Sequence, residues 1–320
     1  MNGSITCGGR RLLPTMREGV VMLVALAVWL GVTAVCVGFR PEHLYLAVLI
    51  AVLFFAAPVT RRLVVALLPF IVFGISYDWM NIVPNYEVNP VDIEGLYNSE
   101  KSLFGITMAD GVVRTPNEFF AMHHAPWVDA LAGFFYLCWV PVPILFGLGM
   151  YMTRQDKVYL HFALVFLFVN LLGFAIYYIH PAAPPWYVAK YGFDFIAGTP
   201  GDVAGLGRFD EMTGWGVFDA LYARNSNVFA AVPSLHSAYM LIAFIYSFKA
   251  RCSNLLRVLF AIITLGIWFT AVYSGHHYLI DVSLGILTAL VGTALFEWGL
   301  MRIQAFRRFV DTTYCNYISN

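Results

Sequence analysis

An all-α, polytopic membrane helical bundle of about eight transmembrane helices is what this sequence predicts. Three features point there. Of 320 residues, 60% are hydrophobic and only 12% charged; mean hydropathy is +0.72; and apolar runs of about 20 residues, enough to span a bilayer, recur along the chain. The 19 basic and 19 acidic residues cancel, so no global positive field exists to attract nucleic acid.

The runs lie at 19–38, 41–58, 63–80, 127–151, 158–179, 233–248, 255–274 and 279–300. The second and sixth are short, and call for tilt, a re-entrant path or extension by interfacial residues. The first follows a segment carrying Arg10 and Arg11, which has the charge of a secretory leader. Its apolar run is longer than a leader's, and no small-residue cleavage site follows, so it reads as retained.

Lysine and arginine placement sets the orientation. With the N-terminus cytoplasmic, 13 basic residues fall on the cytoplasmic side and six on the other: Arg40, Lys101, Arg114, Lys190, Arg208 and Arg224. That asymmetry supports an even number of spans, with both termini in the cytoplasm. Cys7, Cys36, Cys138, Cys252 and Cys315 show no paired spacing in the outer segments, so neither a disulfide nor a zinc site is indicated.

Two outer loops, 81–126 and 180–232, are too long to be connectors. The first carries Pro84-Asn85-Tyr86, Glu100-Lys101-Ser102-Leu103-Phe104-Gly105 and Thr115-Pro116-Asn117-Glu118-Phe119-Phe120, and reads as short helices lying at the interface. The second opens Pro181-Ala182-Ala183-Pro184-Pro185-Trp186-Tyr187. Loops of this length in a compact protein are ordinarily functional, and a lid over a site is one such use.

The chemistry concentrates in two segments at the edges of apolar runs: Val232-Pro233-Ser234-Leu235-His236-Ser237 and Tyr273-Ser274-Gly275-His276-His277-Tyr278-Leu279-Ile280-Asp281. The orientation above puts both on the non-cytoplasmic face. Imidazoles at a membrane edge are costly to desolvate, which favours chemistry over packing. His277 and Asp281 are four apart, so at a helix start they share a face. The carboxylate can then accept from one ring nitrogen, fix the tautomer and leave the other nitrogen basic, as a histidine nucleophile requires. His276 points elsewhere, as a donor behind the site, an interface residue or only a neighbour.

In the other segment Pro233 suits a first helical position. The N–H groups of Ser234, Leu235 and His236 would then face outward at the positive end of a helix, ready for phosphate. Ser234 could bond a phosphate oxygen, and His236 could protonate a departing alkoxide. The ordinary reading of a single terminal histidine is a solvated or capping residue. Two such helix starts on one membrane face weigh against it.

These residues resemble a known family. Pro233-Ser234-Leu235-His236 is similar to the Pro-Ser-Gly-His motif of the type 2 phosphatidic acid phosphatase superfamily, and 273–281 to that superfamily's last motif, ending His-x-x-x-Asp. Pro-Ser-Leu-His-Ser, His-His-Tyr-x-x-Asp and Ala183-Pro184-Pro185-Trp186-Tyr187 most resemble the inositol phosphorylceramide synthase and inositolphosphotransferase branch. The motifs cover about 127–285 and, more weakly, 100–120.

The resemblance implies a six-helix catalytic core at 63–300, two accessory helices within 1–62 and a cytoplasmic tail at 301–320. It also implies a mechanism without metal or cofactor, through a phosphohistidine: His277 as nucleophile, Asp281 orienting it, His236 as general acid and base. Trp186, Tyr187 and His276 join Ser234 as substrate-binding candidates. The chain departs from the hydrolase pattern where Thr270-Ala271 replaces Ser-Arg and where no Lys-x6-Arg-Pro motif is found. Phosphate needs cations in the transition state. The candidates are Arg224, nine residues before Pro233, then Lys190 and Arg114.

The expected function is therefore a lipid phosphotransferase moving a phospho-alcohol head group, such as phosphoinositol, from a glycerophospholipid donor to ceramide or diacylglycerol. A lipid phosphatase using water is the enzymatic alternative. A metal- or haem-binding membrane protein, with His236, His276, His277 and Asp281 as ligands, is the non-enzymatic one. It gives no role to the helix-start proline or the aromatic outer loops.

Overall fold

Each of the eight apolar runs is helical, but they are not eight equal spans. The computed structural model describes residues 13–224 and 227–319, with the backbone of 6–7 and 10–11; the side chains of Cys7, Arg10 and Arg11 lie outside the described part. Helix α1 (Met16–Thr33) starts on a capping box between Thr15 and Glu18 and continues as a π turn to Gly38. α2 (Pro41–Ala56) follows. The third run is broken into α3 (Pro58–Ala66) and α4 (Leu68–Trp79), bent by 51°. The first outer loop carries α5 (Glu94–Phe104) and α6 (Pro116–Met122). The fourth run is broken into α7 (Pro126–Leu137) and α8 (Pro141–Met152), bent by 42°. A proline stands in the first turn after each break, where its missing N–H interrupts the ladder.

α9 (Asp156–Ile179) is followed by the second outer loop, with α10 (Pro185–Tyr191), α11 (Gly207–Thr213) and α12 (Val217–Tyr222). The last spans are α13 (Leu235–Lys249), α14 (Asn254–Tyr273) and α15 (Leu279–Ala294). The chain closes with α16 (Gln304–Arg308) and α17 (Cys315–Ser319). Among the described residues, four helices are long and apolar enough to cross a membrane, or six with each bent pair as one span. The two runs expected to be short are so: α2 has 16 residues and α13 has 15.

α13 lies at the centre, packed against α9, α14 and α15. Nearly its whole circumference is buried, as a helix apolar all round should be. Backbones approach closely where glycine permits: a side chain at Gly285 of α15 would collide with the Ser234 carbonyl. The buried Asn170 of α9 donates to the Phe166 carbonyl at 2.8 Å and accepts from Tyr239 of α13 at 2.5 Å, so no polar group is stranded there. α1 and α2 pack on one another and reach α3 through a small cluster around Ile50, Phe54 and Val64. The division expected at 62/63 falls inside α3.

At one end, the outer loops are sewn together. Asp92 N–H donates to the Pro181 carbonyl, Ala183 N–H to the Asp92 carbonyl, and Ala182 N–H to the Phe229 carbonyl. At the other end the C-terminal residues dock on the bundle. Tyr314 donates to the Val65 carbonyl at 2.7 Å, and His161 stands between Glu297 at 3.2 Å and Asp311 at 2.9 Å. Lys249 pairs with Glu297 and Lys157 with Asp311. The two histidine segments meet at the first of these ends.

Candidate active site

The turn between α14 and α15 presents the paired histidines. Gly275, at φ +77, takes the left-handed conformation that lets the chain reverse, and the His276 and His277 N–H groups both donate to the Ala271 carbonyl. Tyr278 is the N-cap of α15, and Asp281 Oδ2 accepts its N–H at 2.8 Å. His277 therefore lies ahead of the helix rather than on it, which corrects the expected register. The spacing still brings Asp281 Oδ2 to 3.5 Å from His277 Nδ1. A nearer acceptor is the Ala231 carbonyl at 3.1 Å. A carbonyl can only accept, so Nδ1 carries the ring proton and Nε2 keeps its lone pair. Nε2 is 3.0 Å from Nδ1 of His236. Two segments 41 residues apart thus form one constellation.

The start of α13 also differs from expectation. Ser234 is the N-cap and Pro233 lies outside the helix. The Ser234 N–H is taken by the Asp281 carbonyl at 2.9 Å, a cross-link that ties the two histidine segments together. Its hydroxyl accepts from Ser237, and the residue is wholly buried. Ser234 joins the two halves instead of presenting a group to phosphate.

Aromatic rings roof the pair. Tyr136, at the end of α7, stacks on His236 at 5.0 Å, and Trp139, in the α7–α8 break, lies over it at 4.3 Å. Tyr222 covers His276 at 4.4 Å. His276 Nδ1 is bonded to the Ser274 hydroxyl. Burial, with the charge of His277 next, pushes the His276 pKa down to about 3. Neutral at physiological pH, it brings no positive charge to a phosphate.

The first outer loop grips the turn from outside. Glu100, fully buried, accepts the N–H groups of Leu279 at 2.9 Å and Ile280 at 3.1 Å, capping the first turn of α15. Burial raises its pKa despite these bonds. Asn117 donates from Nδ2 to the carbonyls of Val272 and His277, both at 2.8 Å. It stands in the first turn of α6, whose capping box joins Thr115 and Glu118.

The profile of the PAP2 superfamily, that of the type 2 phosphatidic acid phosphatases, matches residues 113–295, which include every one of these histidine-bearing elements. The chain belongs to the PAP2 superfamily. It is similar to a phosphoinositol dihydroceramide synthase of Bacteroides thetaiotaomicron, 60% identical over 302 residues, which are 94% of this chain and 99% of that protein. It is also similar to the catalytic subunit of inositol phosphorylceramide synthase of Saccharomyces cerevisiae, 27% identical over 74% of this chain and 57% of the subunit. The inositol phosphorylceramide synthase of Candida albicans is 29% identical over 51% of this chain and 35% of its own length. No solved structure gives a significant match. This PAP2 protein is thus an integral membrane enzyme of phosphotransferase type, in the inositol phosphorylceramide synthase-like branch.

The cations of this PAP2 site fall differently from the sequence ranking. Arg224, the first choice, pairs with Glu42 at 3.0 Å and borders a separate cavity with Arg40. The chain leaves α12 toward the start of α2, where Glu42 offers a carboxylate, so nearness to Pro233 in sequence does not carry over. Arg114 pairs with Asp110 at 2.8 Å. Lys190 pairs with Asp202 and, with Trp186, lines a cavity of about 580 Å³ against the turn at Ser274, Gly275 and Tyr278. Tyr187 is buried and pins the second loop, donating to the Asp194 carbonyl and accepting from Ile196 N–H. Sequence reasoning gave no role to Glu100, Asn117 or Asp129. Asn117 follows a Thr-Pro helix start with Glu118 at the third position, a capping-box signal that marks its helix though not its partners.

Proposed function

We propose that the protein transfers phosphoinositol from phosphatidylinositol to a ceramide or dihydroceramide acceptor through a phosphohistidine at His277, on the non-cytoplasmic face. The observation that carries this reading is the 3.0 Å contact between His236 Nδ1 and His277 Nε2, with Asp281 behind the latter. The similarity to the phosphoinositol dihydroceramide synthase of Bacteroides supports the choice of substrates.

In the first step His277 Nε2 attacks phosphorus, a P–N bond forms and the P–O bond to diacylglycerol breaks. A protonated His236 gives its proton to the departing alkoxide. The Asp281 carboxylate stabilises the charge that develops on the His277 ring. In the second step the acceptor hydroxyl attacks phosphorus, its proton passes to His236, and the P–N bond breaks, restoring His277.

Incubating the purified protein with phosphatidylinositol and ceramide or dihydroceramide, followed by mass spectrometry, tests this. Phosphoinositol sphingolipid and diacylglycerol should appear in equal amounts. Release of inositol phosphate with no new sphingolipid would make the enzyme a hydrolase instead.

A further inference from the structure

The cavity beside the histidine turn has the walls of a head-group site, and its cation comes from α11, apart from the two histidine segments. Arg208, in α11, donates from Nε to Asp129 at 2.6 Å; the same carboxylate oxygen accepts the Tyr273 hydroxyl at 2.8 Å. The guanidinium also lies over the Tyr273 ring, 5.2 Å from its centroid. One edge is thereby fixed, while Nη2 is buried without a hydrogen-bond partner. A guanidinium tethered on one side presents its free edge in a set direction, the arrangement suited to a phosphate oxygen.

Two further groups in the cavity wall have unmet bonding capacity. Asn117 spends both its described bonds through Nδ2, leaving Oδ1 unpartnered, and the Tyr278 hydroxyl has no partner. Both residues line the cavity and are only 6% and 1% exposed. Buried polar atoms left unpaired call for a ligand or water. The carboxylate of Asp202 is already bridged to Lys190, and Glu118 accepts from Tyr97. Hydroxyls of a head group can meet Asn117 Oδ1 and Tyr278. Ala271, where superfamily hydrolases carry arginine, packs in one apolar cluster with Leu206 and Phe209, which flank Arg208.

Resting on the transferase reading above, we infer that this cavity holds the donor's phosphorylated polyol, with Arg208 as the cation on its phosphate and Asn117 and Tyr278 on its hydroxyls. Arg208 supplies from α11 the positive charge that Ala271 cannot.

Purified full-length protein in detergent provides the test. Arg208→Gln should lower kcat/KM for phosphatidylinositol about 100-fold, the usual scale for losing one transition-state charge contact, while Arg208→Lys recovers part of it. Because Arg208 is tied to a buried aspartate, a second measurement leaves it intact. In Ala189→Cys, a cavity-wall position, alkylation read by peptide mass spectrometry should slow several-fold with glycerophosphoinositol and not with glycerophosphocholine. Retention of kcat/KM within threefold in a folded Arg208→Gln protein, or alkylation indifferent to glycerophosphoinositol, overturns the inference. If the wild type consumes a different phospholipid, the donor reading fails separately; glycerophosphoinositol protection without turnover still supports the cavity assignment.

Discussion

His236 and His277 are each other's resting partner, with Nδ1 of the first 3.0 Å from Nε2 of the second. Because His277 Nδ1 faces the Ala231 carbonyl, the proton between the rings belongs to His236. His277 Nε2 is therefore the acceptor in this contact, the lone pair that the proposed attack on phosphorus would use.

That division can be separated experimentally. A nitrophenyl phosphodiester donor has a leaving group that needs little protonation, so His236→Ala should still be phosphorylated at His277. Its second step lacks a base, and an acid-labile, base-stable adduct should accumulate. His277→Ala should form none and lose all turnover, while His276→Ala retains some. If neither His236→Ala nor wild type traps an adduct while wild type makes product, direct attack by the acceptor becomes the better account.

Glu100→Gln should act through the position of the turn. An amide can accept only one of the Leu279 and Ile280 N–H groups without placing its own donors against the other. The expected loss is about 1–3 kcal/mol of stability and at least tenfold in kcat, with KM little changed. Burial raises the Glu100 pKa above 4.5 in the folded protein, so the folded state takes up this proton first. Its contribution to stability is complete below pH 4.5 and fades as pH rises through the raised value. Thermal melts should show the wild type losing stability relative to the variant from pH 4.5 toward neutrality; parallel curves would count against this reading of Glu100.

Asn117→Ala leaves the Val272 and His277 carbonyls without their shared donor. Stability should fall by about 1–3 kcal/mol and turnover more than tenfold. Asn117→Asp should do no better, since a carboxylate has nothing to donate. Full activity in either variant would show that the turn holds its shape alone.

The bundle and the pairing of His236 with His277 were legible because apolar run length and motif spacing are local signals. Spacing gave the His277–Asp281 pairing although His277 precedes the helix, since the turn and the first helical residues still bring the two within 3.5 Å. Pro233 misled because proline fits both inside and just before a helix start, and only the cross-chain bond to Asp281 decides between them. The cations were not legible. Arg208 and Arg224 look alike in sequence; what separates them is the company of Asp129 and Tyr273 for one and Glu42 for the other. Glu100 and Asn117 act on backbone groups far along the chain, and sequence carries no local trace of such partners.

The orientation rests on the division of basic residues into 13 and six. Trp215→Cys, on the exposed second outer loop, should react with a membrane-impermeant thiol reagent in intact cells, and Asn254→Cys at the opposite end should not. Reversed labelling would put the chemistry in the cytoplasm.

Glu100 and Asn117 reach their partners across 155 to 180 positions of chain. During synthesis their loop emerges well before α14 and α15 exist. It must wait, folded or not, until the last helical hairpin is inserted and the turn arrives beneath it. The turn that carries His277 therefore gains its backbone support only at the end of assembly. An enzyme that consumes the lipids around it is inert for as long as it is incomplete.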